Sequence, residues 1–430
     1  MTAIAASLQA QTPPPVRQLG RIERVSSGSL ASAAAALPMP GGRVVVNDIT
    51  ARRLLLLDST LTSATVIADT TDATANAYGT HAGTLIRYRG DTAMYIDIGS
   101  LSMLVIGPTG KIERIMAIPR PDQAQSLIGS VFGTPGFDAH GRLIYYGGGG
   151  IGSGALRLCC LGTMPAGALG SNFGGVGDSG FVVRADLATR ALDTATVIKI
   201  IKTKVAFRAD ERNLLTGIET THYPFPVVDD WTVMPDGSLA VVRGRDFHVD
   251  WLGADGRWTS SPKMPFDWQP LDEVQKQAAI DSMAKDDQET LDRMAARDAG
   301  GPPGGGAAGG GRGGAGGGGR GGGGGGAPGR GRGQPIPSVV GRAASGDIAD
   351  YVPPFVRGDV VADGDNNLWI KTSTVVNGQP VYDVVNRRGE LFDRVQLPPF
   401  RTIAGFGLGV VYLAVKDAAG VVHLERARAK

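Results

Sequence analysis

Cysteine is nearly absent: the 430 residues hold two, Cys159 and Cys160, side by side. Two adjacent thiols cannot supply the Cys or Cys/His spacings of a structural zinc site. An ordinary disulfide is closed to them as well, because joining neighbours forces a small strained ring. They are either two free thiols in a loop or, in an oxidising compartment, a rigid vicinal disulfide. Histidine is scarce, with five, and aromatic residues make up only 6% of the chain. No apolar run approaches the roughly 18–20 residues that cross a bilayer as a helix. Neither sign of charge is in excess, since 43 Lys and Arg face 41 Asp and Glu, a formal net charge of +2. That balance exerts no strong pull toward nucleic acid or a membrane surface. The motifs of named reactions are missing too: no GxSxG, no HExxH, no phosphate-binding glycine loop between strand and helix, and no EF-hand spacing.

What the chain has in plenty is glycine, 65 residues divided between tight turns and one low-complexity tract. The turns punctuate a repeat, clearest over residues 231–260. There an apolar run from Trp231 meets Pro235-Asp236-Gly237-Ser238, where Pro pre-sets φ and Gly accepts the positive φ that other residues resist. A second run, 239–243, ends at Gly244-Arg245-Asp246, and 247–252 then alternates, with Val249 and Trp251 on one face and His248 and Asp250 on the other. Ala254-Asp255-Gly256 turns into a fourth strand. Weaker copies start near Pro40, Gly90, Asp138 and Asp363, and a partial one covers 410–427. Six units at a spacing of roughly 40–50 residues predict an all-β, six-bladed β-propeller of four-stranded antiparallel blades. The last unit stops after its third strand, so the strand-like segment 18–25 is expected to close the ring as the missing fourth.

Gly42-Arg43-Val44-Val45-Val46-Asn47-Asp48, followed by Arg53-Leu54-Leu55-Leu56-Leu57-Asp58, resembles the blade motif of NHL-type six-bladed propellers. The second unit lacks the Arg, and the fourth departs from the pattern with Arg245-Asp246-Phe247-His248. The resemblance implies a fold, not an activity: such proteins bind proteins, RNA or small molecules, or carry out lyase and hydrolase chemistry.

Residues 1–15 read as a signal-peptide remnant, small and apolar to residue 10, and a leader with Pro13, Pro14 and Pro15. The protein is therefore expected to be exported, periplasmic or secreted. Residues 16–430 are expected to form the propeller, with a loop-rich insertion at 147–180 and two further insertions between the fourth and fifth units. Residues 270–299 switch to a helical period, with Leu271, Val274, Ala278, Leu291 and Met294 near one face and charged pairs such as Glu289 and Arg293 between, which predicts one or two solvated helices. Residues 300–345 are a Gly/Arg-rich segment expected to be a disordered linker, since glycine brings no apolar surface and loses most entropy on ordering. Arg312, Arg320, Arg330 and Arg332 lie in it without an aromatic residue for base stacking, which favours a linker over an RNA-binding segment.

In a propeller, the residues just before each first strand converge on one mouth of the central channel. His81 lies there, as do His222, Tyr223, Asp229 and Asp230, then Tyr351, Phe355 and Arg357, and finally Arg401. The expected ligand-binding set is His81, His222, Tyr223, Asp230, Arg357 and Arg401. No cofactor is predicted; a divalent metal, if the channel holds one, would take His81, His222 and Asp230. Arg243, Arg245, Asp246, His248 and Asp250 form the densest polar cluster, readable equally as the hydrogen-bonded polar face of one unit. Asp363-Gly364-Asp365-Asn366-Asn367 spaces oxygen ligands as a Ca²⁺ loop does, but it occupies a turn that wants those residues for its backbone. The sequence thus predicts a binding scaffold for a small molecule, peptide or protein, with no catalysis assigned. The alternative is a metal-dependent hydrolase or lyase working at the channel.

Overall fold

The computed structural model describes residues 12–128, 133–149, 174–209, 215–300, 338–355, 358 and 360–430. Cys159, Cys160, Arg357, residues 1–11 and the glycine tract over 301–337 lie outside the described residues. Two short strands come first, β1 (Val16–Gln18) and β2 (Ile22–Val25). The first sheet is β3 (Ala35–Pro38), β4 (Val44–Asp48), β5 (Arg53–Leu57) and β6 (Ala64–Ala68). The second is β7 (Thr84–Arg87), β8 (Ala93–Asp97), β9 (Ser102–Ile106) and β10 (Ile112–Ala117). The third holds β11 (Gly136–Phe137), β12 (Leu143–Gly149), β13 (Gly174–Ala185), β14 (Leu192–Ala209) and β15 (Leu215–His222). The fourth is β16 (Asp229–Val233), β17 (Leu239–Arg243), β18 (His248–Leu252) and β19 (Trp258–Ser260). Helix α1 (Glu273–Gly300) follows, then β20 (Ser338–Val340), which joins the third sheet beside β15. The fifth sheet is β21 (Val360–Ala362), β22 (Leu368–Val376), β23 (Gln379–Val385) and β24 (Leu391–Gln396), and the sixth has β25 (Arg401–Gly407), β26 (Val410–Lys416) and β27 (Val422–Arg428).

Within each sheet, consecutive strands pair antiparallel in chain order. The second and third strands are near-continuous apolar runs, VVVND and RLLLL in the first sheet and AMYID and SMLVI in the second, and they are buried almost throughout. A strand covered on both faces has no solvent side to mark with polar residues. The fourth strands β6, β10 and β19 are mostly exposed, as outer edges should be.

The cores lie between sheets. Val45, Leu54, Leu85 and Tyr95 join the first to the second, and Ile96, Met103, Leu143 and Tyr145 the second to the third. A larger cluster holding Val182, Trp231, Val241 and Ile370 joins the third, fourth and fifth. Trp369, Val395, Val411 and Leu413 join the fifth to the sixth, and Val44, Leu55, Tyr412 and Leu424 join the sixth to the first. Residues from β3, β7, β11, β16, β21 and β25, the opening strand of every sheet, border one cavity of about 380 Å³.

The four-stranded antiparallel units expected from the sequence are present, with four corrections. Segment 18–25 divides: β2 pairs antiparallel with β27 and gives the sixth sheet its fourth strand, whereas β1 runs parallel to β24 on the fifth. Arg17 anchors β1 through Nε and Nη2 to the Asp393 carboxylate, at 3.0 and 2.5 Å. The presumed loop insertion 147–180 begins and ends in strand, since β12 runs to Gly149 and β13 starts at Gly174. The linker assigned to 300–345 ends in order, because β20 pairs with β15 and Ser345–Asp347 forms a 3-10 turn. Finally, α1 is a single helix and its inward residues are not those expected. Val274 is 78% exposed, while Ile280 and Lys276 are buried, Lys276 donating to Asp350 at 2.7 Å. Asp272 and Gln275 cap the helix reciprocally, each side chain accepting the other's backbone N–H. No described helix is long and apolar enough to cross a membrane.

Candidate functional site

The hairpin β17–β18 ends at the same side as the start of β16, where Arg243 stands opposite both Asp229 and His248 in register. Gly244 opens the turn between β17 and β18 and cannot be replaced easily, since a Cβ there would sit 2.0 Å from the Val228 carbonyl oxygen. Phe247 closes the turn with φ of 48° and is wholly buried against Phe266 and Phe355. From Phe266 an edge-to-face series continues through Trp268 to Tyr351, with centroids 5.3 and 4.7 Å apart. That series brings Tyr351, more than a hundred residues along the chain, against the fourth sheet.

Between these elements opens a cleft of about 450 Å³ bordered by Lys199, Asp229, Arg243, Arg245, His248 and Tyr351, among others. Its floor is a closed ionic network. Arg243 Nη1 donates to Asp229 at 2.7 Å and to the Val197 carbonyl at 3.0 Å, and its Nε donates to Asp250 at 2.7 Å. Burial works against the Arg243 charge, but the carboxylates of Asp250 and Asp229 outweigh it and raise the guanidinium above its ordinary value. Burial also works against the Asp250 carboxylate, yet hydrogen bonds from Ser260 and Arg243 leave it below the usual range. His248 is held on both sides, Nδ1 at 2.8 Å from Asp246 and Nε2 at 3.2 Å from Asp250. Neither imidazole nitrogen is left to move a proton for a ligand.

Two groups at the rim are not spent in this network. Arg245 is exposed, and its guanidinium makes no hydrogen bond or ion pair among the described residues. Among the described residues, the Tyr351 hydroxyl reaches only the Arg245 carbonyl, at a long 3.5 Å. Lys199, by contrast, is paired with Asp178 at 3.0 Å.

The expected mouth residues are mostly committed elsewhere. His81 is exposed, with Nδ1 3.0 Å from the hydroxyl of Thr80. His222 Nδ1 lies 2.7 Å from Asp287 of α1, so this histidine fastens the helix. Tyr223 is buried, with Lys202 Nζ 4.3 Å above its ring. Asp230 is fully buried and accepts from the backbone N–H of Trp231 and, across to the fifth sheet, of Val360. Arg401 forms a two-pronged pair with buried Glu425, at 2.8 and 3.0 Å. His81, His222 and Asp230 are not gathered as metal ligands; among the described residues no group of three or more His, Cys, Asp or Glu is. The polar cluster of Arg243, Arg245, Asp246, His248 and Asp250 is the part that does come together, mainly as the internally bonded face that the sequence also allowed. Lys199 and Val227 on its border carried no sequence expectation, though the alternating TATVIKIIKTKV of β14 marks that strand.

No protein-family model matches the chain, and no curated protein does. Solved structures resemble it distantly. Virginiamycin B lyase from Staphylococcus aureus is 9% identical, covering 94% of this chain and 98% of its own, with a TM-score of 0.36. The PQQ-bound aldose sugar dehydrogenase from Streptomyces coelicolor is 11% identical over 97% and 99%, also at 0.36. A protein of Bacteroides fragilis described as exported is 8% identical over 98% and 94%, at 0.38. At that level of likeness nothing passes from those proteins to this chain.

Proposed function

We propose that the six sheets are the blades of a closed six-bladed β-propeller in an exported protein, and that this propeller is a binding scaffold. Closure is supported by the core shared between the sixth and first sheets and by the cavity that all six opening strands border. Export rests on the small, apolar residues 1–10 and the prolines after them. The ligand is an anionic group, on a small molecule, peptide or protein, taken in the cleft above the fourth sheet. One observation carries this: Arg245 is an exposed guanidinium with no partner among the described residues, beside a network whose other groups are bonded to one another. A guanidinium fork with a neighbouring phenol suits a carboxylate or phosphate oxygen pair. Binding is favoured over acid/base catalysis at this cleft because both nitrogens of His248 are occupied. Calorimetric titration with acetate, citrate, inorganic phosphate and sulfate tests it. At least one anion should bind and lose tenfold or more in affinity in Arg245→Ala; equal affinity in that variant, or no binding by the wild type, overturns the reading.

A further inference from the structure

The cavity at the centre of the six sheets contains a second unspent cation. Arg87, at the end of β7, borders this cavity and also an adjoining one of about 310 Å³. The two share Leu37, Arg87, Pro235 and Gly364, so Arg87 stands at their junction, on the side of the β3–β4 turn and away from the Arg245 cleft. Arg87 is exposed, and the protein packed around its base pulls its guanidinium below the ordinary value, offset only in part by the charge of Asp91. It remains charged, as arginine does, and has no ion pair among the described residues. Among the described residues, Arg87 is the only basic side chain bordering the central cavity and Asp363 the only acidic one. The Asp363 carboxylate is already filled by the N–H groups of Asp365 and Asn367, the Asn367 amide and the Trp369 indole, at 2.8 to 3.1 Å. The rest of the wall is largely apolar, with Leu37, Met234, Ile403 and Phe406, and carries the hydroxyls of Thr84, Thr134 and Thr232.

We propose that the central cavity is a binding site for a small organic carboxylate with an apolar body, its charged end on Arg87 and its body against the opening strands. An exposed cation with no partner is available to an anion, and one that brings its own apolar surface also covers the apolar walls of the cavity. The size is within the range of small-ligand pockets, roughly 300–1,000 Å³. This site is independent of the Arg245 cleft, so either can fail alone.

The probes are benzoate and isobutyrate, titrated into the full chain and followed by calorimetry, with benzamide as the neutral counterpart of benzoate. The expected result is saturable binding of a carboxylate at least tenfold weaker in Arg87→Ala, unchanged in Arg245→Ala, and weaker still for benzamide. Asp91→Asn removes the one nearby charge that competes with the ligand and should tighten binding two- to threefold, a gain that misfolding cannot produce. Absence of saturable binding by the wild type overturns the proposal. So does affinity that survives Arg87→Ala, falls only in Arg245→Ala, or is matched by benzamide.

Discussion

The first and fourth sheets use the same device and end with different surfaces. In the first, Asp48 closes β4 and its buried carboxylate accepts from the N–H groups of Ala31 and Ser32, from the Ser32 hydroxyl and from Arg53 Nε. Arg53 spends its remaining reach on the Ser29 carbonyl. Asp48 and Arg53 thus find their partners within one sheet and the loop that enters it. In the fourth, the acid has moved to the opening strand as Asp229, and Arg243 is shared between it and Asp250 on β18. The turn that follows carries Arg245, which pairs with none of the described carboxylates, and Tyr351 arrives beside it from another part of the chain. An ionic lock that is complete leaves a structural corner. One with an unpaired cation at its rim leaves a candidate site.

Removing each arginine breaks that comparison most directly. Arg243→Ala strips one charge from two largely buried carboxylates, and by the usual cost of halving a buried pair it should destabilise by ~3–5 kcal/mol. Arg53→Ala leaves Asp48 with four other donors, so its expected cost is nearer ~1–2 kcal/mol. Urea unfolding of the two variants decides it; equal losses would mean that the two locks carry the same weight.

The fifth sheet offers an intermediate case. Asp383 on β23 faces Arg394 on β24 in register and is buried, with that one arginine at 3.1 Å. Burial pushes its carboxyl up to about 6, and Arg394 offsets only part of this. A folded-state value above the unfolded 3.8 stabilises the protonated form. The contribution is full below pH ~4 and is lost as pH rises through about 6, at most ~3 kcal/mol for a shift of that size. Asp383→Asn should therefore flatten the fall in stability between pH 4 and 7 and be more stable than wild type at pH 7. A wild-type curve that rises across that interval, unaltered in Asp383→Asn, would contradict this.

Much of the fold was legible because its strongest cues are local. Pro235-Asp236-Gly237-Ser238 specifies a turn, and Gly237 adopts a φ of 80° there, with Asp236 accepting from Ser238. The apolar run 239–243 is a strand with those same bounds. The site was half legible. Period-two alternation put His248 and Asp250 on one face, and Asp250 does meet both His248 and Arg243. The metal set failed because position before an opening strand says nothing about where a side chain's hydrogen bonds go. His222 found Asp287 on a helix 65 residues away, and Asp230 found two backbone amides. Lys276 shows the same limit, since it reads as a solvated helix residue until Asp350 is brought to its end.

Gly244 sharpens the contrast at smaller cost. Its close approach to the Val228 carbonyl lets the turn sit down on β16, and its N–H donates to Asp229 at 3.3 Å. Gly244→Ala should cost ~1–3 kcal/mol by forcing the hairpin outward, and should also weaken anion binding, because Arg245 moves with the turn. Stability lost with affinity intact would show that Arg245 does not depend on the turn's seat.

Tyr351→Phe should have the smallest effect and is the most selective. The phenol makes no strong bond among the described residues, so its loss should change stability by less than ~0.5 kcal/mol, while the ring keeps its edge-to-face contact with Trp268. If the cleft takes an anion on Arg245, the hydroxyl is free to be the second donor, and its removal should weaken binding by roughly three- to tenfold, the worth of one hydrogen bond of ~1 kcal/mol. A drop in stability without a drop in affinity would place Tyr351 with Arg53, among the groups that hold the corner closed. The reverse outcome would place it with Arg245.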